Sequence, residues 1–441
     1  MKILLINPPN ENEIIGNDLE TTRKHSGFSP PLGLMYLESS LKNTHDVSLL
    51  DCQAQGMNYP GLMKYLFENE FDVFGITCMT LCLVDIKKII ACIKIFSPKA
   101  KILCGGPHPT IYPEETLDLG ADSVVIGEGE SLIEEALSFK KKIYGPCSKI
   151  DDLDSIPFPE RVNVDRYHSI LSSKVTNSMI TTRGCPYRCT FCDRPAMGRV
   201  YRERSAINVV DEIEDCISKG VEEINMYDDT FTINKNRVMQ ICDEIEKRKL
   251  KFTFDIRARV NTVDLEMLKR LRSVGCIRIR VGVESGSQRI LDVLNKQITL
   301  EQVRLAFKNA KTAGVETFSY FMIGNPQETR TDIEESYRFS KELKSDYAQF
   351  TILCPFPSTK IYSYWLKTHD KDVWREFSIN PTPDFIPPHW DENFSIQELR
   401  AMLRKIYKSF YFTPKFIFKK LLEIRNFKNA KLLFKAAHDL L

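Results

Sequence analysis

The sequence predicts an α/β fold in two successive parts. Short apolar strands alternate with helical patterns over residues 1–140, and the same alternation restarts near residue 177. Regular alternation of this kind makes parallel sheets covered by helices. The second part holds six strand–helix units, enough for a partial (β/α)6 barrel whose active face lies at the carboxyl ends of its strands. The expected architecture is therefore a doubly wound parallel sheet, then the partial barrel, then a helical C-terminal segment.

In chain order, the first strands are expected at Lys2–Asn7, Val47–Asp51, Val73–Thr77, Lys101–Cys104 and Ser123–Ile126. Helical patterns at Leu32–Lys42, Tyr59–Glu68 and Asp85–Phe96 separate them. Their carboxyl ends are rich in turn formers, among them Gly105-Gly106-Pro107-His108 and Gly127-Glu128-Gly129-Glu130. Ligands of such sheets sit beyond those ends. The second strands are expected at Asn177–Thr182, Glu223–Asp228, Phe252–Arg257, Ile277–Val283, Thr317–Ile323 and Ala348–Leu353. This divides the chain into residues 1–145, an interdomain linker over 146–175, a barrel over 176–375 and a basic helical segment over 376–441.

Bulk composition narrows the functional classes. At 441 residues two or three domains are expected, and 43% hydrophobic with 27% charged residues is a globular profile. The net charge of +2 speaks against a globally basic nucleic-acid binder. The N-terminal apolar run stops at Pro8-Pro9, too early for a secretory signal, so a cytoplasmic protein is expected. From Ala401 to Leu441, ten Lys or Arg face only Glu423 and Asp439, a local balance of +8. Such a face is either solvated helix surface or a peripheral contact with anionic membrane.

Of the 13 cysteines, most lie in apolar segments as small buried hydrophobes. Cys185, Cys189 and Cys192 differ, forming C-x3-C-x2-C with Phe191 before the last. Three thiolates on one loop hold three irons of a cubane and leave the fourth open to a chelating molecule. The competing readings are a zinc site, which wants four ligands, and unrelated buried thiols.

The loop Thr182–Cys192, set after the first strand of a partial barrel, resembles the cluster loop of the radical S-adenosylmethionine (SAM) superfamily. The resemblance implies a redox-active [4Fe-4S] cluster on the three cysteines and SAM on the open iron. It also implies an external one-electron reductant of flavodoxin or ferredoxin type. By the same resemblance Asp228 and Asp229 are expected to receive the methionine amino group, and Arg259 to meet a carboxylate. Glu284 is a further polar contact, and Gly324 part of a backbone platform for adenine. Gln327 stands where many members have glycine. Taken singly, each of these is also an ordinary strand-end turn, a helix cap or a surface salt bridge.

The N-terminal part resembles the Rossmann-like cobalamin-binding domain of B12-dependent radical enzymes, which include methyltransferases and the anaerobic magnesium-protoporphyrin ester cyclase. The residues carrying this are Pro31 with Gly33, Gly105 with Gly106 and His108, and Glu128. The Asp-x-His-x-x-Gly loop common in cobalamin carriers has no His here; Asp51–Gly56 has similar spacing but carries Gln53 and follows the second strand, so no cobalt ligand is assigned. The other reading of this part is a sheet domain that only packs on the barrel. The implied function is cobalamin-dependent radical methylation of an unactivated carbon in a small-molecule, lipid or tetrapyrrole-like substrate. The alternatives are a cyclisation or rearrangement with the same cofactors, and a non-catalytic corrinoid- or metal-binding protein.

Overall fold

A computed structural model describes residues 1–17, 29–146, 149–168, 174–414 and 416. The first sheet contains β1 (Lys2–Asn7), β2 (Asp46–Asp51), β3 (Val73–Thr77), β4 (Lys101–Gly105), β5 (Ser123–Val125) and β6 (Ile143–Tyr144). All are parallel, in the order β2-β1-β3-β4-β5-β6. The order reverses at β1, so the β1 and β3 carboxyl ends flank a crevice. The apolar runs in β1, β3 and β4 reflect burial on both faces, as a parallel sheet requires. The two-residue β6 went unread in the sequence because no hydrophobic period develops over so short a strand.

The second sheet comprises β7 (Thr176–Met179), β10 (Glu223–Met226), β11 (Thr253–Ala258), β12 (Cys276–Glu284), β13 (Glu316–Ile323) and β14 (Tyr347–Ile352). It is parallel and runs in sequence order, the expected open six-stranded barrel wall. Between β7 and β10 a small antiparallel pair, β8 (Thr182–Arg183) and β9 (Arg202–Glu203), forms the neck of the cysteine loop. The helices around this sheet are well specified: Ser205 and Asn234 cap two of them, and Thr299 and Thr329 close capping boxes on two more.

Two segments sit differently from the sequence expectation. The described residues of the linker 146–175 are pinned to both parts. The Arg161 side chain is fully buried against Glu212 and donates to the Ser178 carbonyl, and Tyr167 donates to Asp51 at 2.9 Å. The chain after β14 leaves the barrel. Tyr362, Trp365, Trp374 and Phe377 enter the core of the first sheet, joined by the Arg375–Glu115 pair at 2.6 Å. Trp374 and Phe356 stack on each other as packing groups.

The helix Ile396–Tyr411 returns to the barrel, where Tyr407 and Tyr411 bond the backbone of Phe350 and Ala348. Most of the basic stretch read beyond it, residues 417–441, lies outside the described residues. Among the described residues no helix is long and apolar enough to cross a membrane.

Candidate active site

The cysteine loop leaves β8 through Gly184, whose φ is +77° and whose missing Cβ would meet the Val200 carbonyl oxygen at 2.2 Å. Only glycine fits both the left-handed backbone and that approach. Arg194 then ties the loop to itself by donating to the carbonyls of Cys185 and Tyr187. Thr190 donates to the Leu294 carbonyl, and Asn295 to that of Arg188. The outcome is a rigid loop with Cys185 and Cys189 almost buried and Cys192 partly open.

All three cysteines line one solvent-open cavity of about 200 Å³ at the carboxyl ends of the barrel strands. Three cysteines on one cavity wall suit a cluster, in which each thiolate holds a different iron. Arg259 donates to the Cys189 sulfur at 3.4 Å and covers the Tyr187 ring at 3.7 Å, which fixes a guanidinium beside the cysteine loop.

Phe191, Asp229, Arg259 and Glu284 share the cavity wall with the cysteines. Glu284 takes a left-handed φ of +68° beside a register shift in β12, and pairs with Lys296 at 2.6 Å. Such strained backbone in a non-glycine residue concentrates at functional sites. Arg259 is more committed than expected, since it also donates to the Lys296 carbonyl.

Four charged residues of the cavity wall escaped the sequence reading: Arg194, Arg257, Arg280 and Lys296. Strand parity offered a signal for Arg257, which lies in β11 two residues before Arg259. Arg280 is held by Asp255 at 2.7 Å. Arg257 differs. Among the described residues its guanidinium makes no hydrogen bond or ion pair and rests on the Tyr227 ring at 4.0 Å. Asp229 likewise has a carboxylate without a hydrogen bond among the described residues. Burial raises its pKa, while Arg194 and Arg257 act against that rise.

Asp228 must be reassigned. It is fully buried and accepts from the backbone N–H groups and hydroxyls of Thr181 and Thr182, so it holds the β7–β8 turn. β10 ends at Met226, two residues earlier than expected, and the adjacent aspartates point apart. Gly324 is also off the cavity wall: its φ is +76°, and a Cβ there would strike Leu399 at 2.8 Å. Gln327 keeps the left-handed turn of the glycine it replaces, at φ +60°.

On the first sheet, Gly33 and Gly127 face open space, and Gly105 nearly so, a cradle that side chains would fill. This fits a flat macrocycle lying over the carboxyl edge. Gly106, at φ +109°, packs instead on the Cys78 backbone, while Pro31 precedes the helix Leu32–Leu41. His108 is fully buried, bonds Thr80 through Nδ1 at 3.2 Å, and leaves Nε2 without a partner among the described residues. It therefore belongs to the core rather than the open edge. Glu128 is likewise no free contact, being enclosed by Arg183 and Arg202.

Burial drops the His108 pKa from its ordinary 6.5 to about 3. The unfolded chain takes up this proton below pH 6.5 and the folded chain does not, so stability falls as pH drops from about 6.5 towards 3. His108→Gln is expected to flatten that slope in acid-denaturation curves and to leave the spectrum of bound cobalamin unchanged. A changed cobalt spectrum would instead put His108 at the cofactor.

The chain matches the radical SAM superfamily over residues 179–340 and the B12 binding domain over residues 22–137. It is 32% identical to a Pyrococcus horikoshii protein named as an uncharacterized methyltransferase, covering 97% of this chain and 96% of that one. It is 27% identical to the anaerobic magnesium-protoporphyrin IX monomethyl ester cyclase of Rubrivivax gelatinosus, over 82% of this chain and 69% of that one. In fold it is similar to the radical SAM methyltransferase TsrM of Kitasatospora setae, solved with cobalamin and a [4Fe-4S] cluster. The TM-score is 0.68 at 18% identity, over 83% of this chain and 75% of that one. The cobalamin-dependent SAM radical enzyme OxsB also gives a TM-score of 0.68, at 19% identity, over 99% of this chain and 70% of that one. The cysteine loop, the open glycine edge and a relative spanning nearly the whole sequence lead to one assignment: the chain belongs to the cobalamin-binding radical SAM enzymes, with a [4Fe-4S] cluster, SAM and cobalamin as cofactors.

Proposed function

We propose that this enzyme methylates an unactivated carbon of a small-molecule substrate, with lipids and tetrapyrroles among the candidate classes. The observation that carries the reading is that Asp229 and Arg257, neither hydrogen-bonded through its side chain among the described residues, share one cavity with the three cysteines. When bound, the cluster supplies an electron, SAM a carbon-centred radical and a methyl group, and cobalamin the means of carrying that methyl. The chain's own residues do the positioning. Asp229 accepts from an ammonium, Arg257 donates to a carboxylate, and together they match the amino-acid head of SAM. Arg259 donates to the Cys189 sulfur and so positions that ligand. Phe191 and the Glu284–Lys296 pair wall the cavity and limit water.

Relatives named as methyltransferases support methyl transfer. The relatives named as cyclases favour a second reading, ring formation without methyl transfer. Anaerobic reconstitution with hydroxocobalamin and a one-electron reductant separates the two. Methyl transfer predicts about one cobalamin per chain and release of S-adenosylhomocysteine from SAM before any substrate is added. Bound cobalamin without that release would select the cyclase reading.

Arg257→Met is expected to cost the charged hydrogen bonds to the SAM carboxylate, about 1.5–3 kcal/mol. Its Kd for SAM should rise roughly ten- to a hundredfold in equilibrium titrations, with cluster content unchanged. An unchanged Kd would return the carboxylate to Arg259.

A further inference from the structure

The cysteine loop is closed at its neck by β8 and β9, where Arg183 and Arg202 stand directly opposite each other. Like charges facing across an antiparallel pair repel. Both side chains are buried, at 3% and 5% exposure, so water screens little of that repulsion. The compensating charge comes from the other domain. One oxygen of Glu128 accepts from Arg183 and from Arg202, at 3.0 Å each, and its second oxygen accepts from Arg202 again. Glu130 takes the other arm of Arg183, whose guanidinium also lies over the Tyr36 ring at 5.5 Å.

The turn carrying Glu128 is itself anchored to the cofactor edge of the first sheet. The Gly127 N–H donates to Thr110 Oγ1 at 3.1 Å, and that hydroxyl donates to the Gly106 carbonyl at 2.8 Å. Gly127 sits at φ +84°, and a Cβ on Gly129 would press on Leu37 at 3.2 Å. A hydrogen-bonded path therefore runs from the glycine edge through Glu128 to Arg183, the residue before Gly184-Cys185.

We propose that Glu128 is a positioning residue for the iron–sulfur cluster: one carboxylate of the cobalamin-binding domain clamps both strands at the neck of the cluster loop, so that the two cofactor sites are held in register. Burial works against the charged form, but Arg202 and Arg183 together keep the Glu128 carboxyl below its ordinary pKa, so the clamp stays ionised at neutral pH. The inference rests on the cluster occupying Cys185, Cys189 and Cys192.

The test uses full-length protein loaded anaerobically with cluster and cobalamin. Iron release to a strong chelator and the electron paramagnetic resonance spectrum of the reduced cluster are followed in wild type, Glu128→Gln and Glu128→Asp. Glu128→Gln should release iron about tenfold faster, the lower end of what lost outer-shell partners cost a metal site, with an altered resonance and unchanged cobalamin content. Glu128→Asp, charged but too short to span both arginines, should fall between. It carries the test if the Gln variant does not fold. Glu128→Gln combined with Arg202→Gln removes one of the facing charges and should slow release again.

Glu115→Gln, which breaks the Arg375 pairing of the same domain, should release iron at the wild-type rate. Wild-type release and resonance in both Glu128 variants would overturn the clamp alone. A wild-type protein that takes up no cluster would overturn the cysteine assignment and the clamp with it.

Discussion

Cys189→Ala protein, purified and reconstituted without oxygen, is expected to hold no [4Fe-4S] cluster and to cleave no SAM. A cubane on three protein thiolates that loses one has two points of attachment, and an iron left without its thiolate is exposed to solvent and chelators. Losing a direct ligand should exceed the about 10–100-fold in affinity that even outer-shell partners cost. Cys189 is the most informative of the three, because its sulfur takes the Arg259 hydrogen bond and alanine leaves that guanidinium committed only to Asn261 and the Lys296 carbonyl. Iron and sulfide analysis with the visible charge-transfer absorption reads the result. Cys216→Ala, buried in the helix Ala206–Ser218, should keep a full complement of iron. The outcome also separates the function classes. A corrinoid carrier without radical chemistry would keep its biological role in Cys189→Ala, whereas the radical enzyme would lose it. A zinc site would give a colourless wild type with zinc in place of iron and sulfide.

The parts of this molecule that the sequence made legible are those whose information is local. The C-x3-C-x2-C loop declares itself because ligand spacing is a property of a dozen consecutive residues. The strand and helix spans were readable because β1, β3 and the helices Tyr59–Glu68 and Lys235–Lys247 have strong periods and clean ends. What misled was parity and docking. Asp228 and Asp229 are indistinguishable as a pair; which one faces the cavity depends on where β10 stops. Glu128 sits in a Gly-Glu-Gly-Glu turn that reads as a ligand loop, and its true partner, Arg202, lies 74 residues away in the other domain. No pattern within one domain announces a contact between two. The segment containing Trp374 was assigned to the barrel side for the same reason, since its apolar residues do not say which of two cores they enter.

The contrast between the two aspartates yields the second large effect, one on stability and the other on binding. Asp228→Ala would leave the N–H groups and hydroxyls of Thr181 and Thr182 without their acceptor in the interior. Each buried donor left unpaired costs about 1–3 kcal/mol, so several together take a large share of the roughly 5–15 kcal/mol that holds a domain folded. The unfolding midpoint should therefore fall sharply, and any loss of SAM binding should follow from loss of the fold. Asp228→Asn is the discriminating variant. Three of the four hydrogen bonds end on Oδ1, which asparagine retains, and its amide can donate to the Thr181 hydroxyl in place of the fourth. Burial also raises the Asp228 pKa, so the charge itself is a liability in the folded state, and its removal should leave the midpoint within about 1 kcal/mol of wild type. Asp229→Asn should do the reverse, melting like wild type while weakening SAM about tenfold or more through the lost ammonium contact. Denaturant unfolding and SAM titration on the same three proteins decide the assignment. If Asp228→Asn melts normally but binds SAM poorly, the ammonium contact belongs to Asp228, and Asp229 is only a neighbour of Arg257 on the cavity wall.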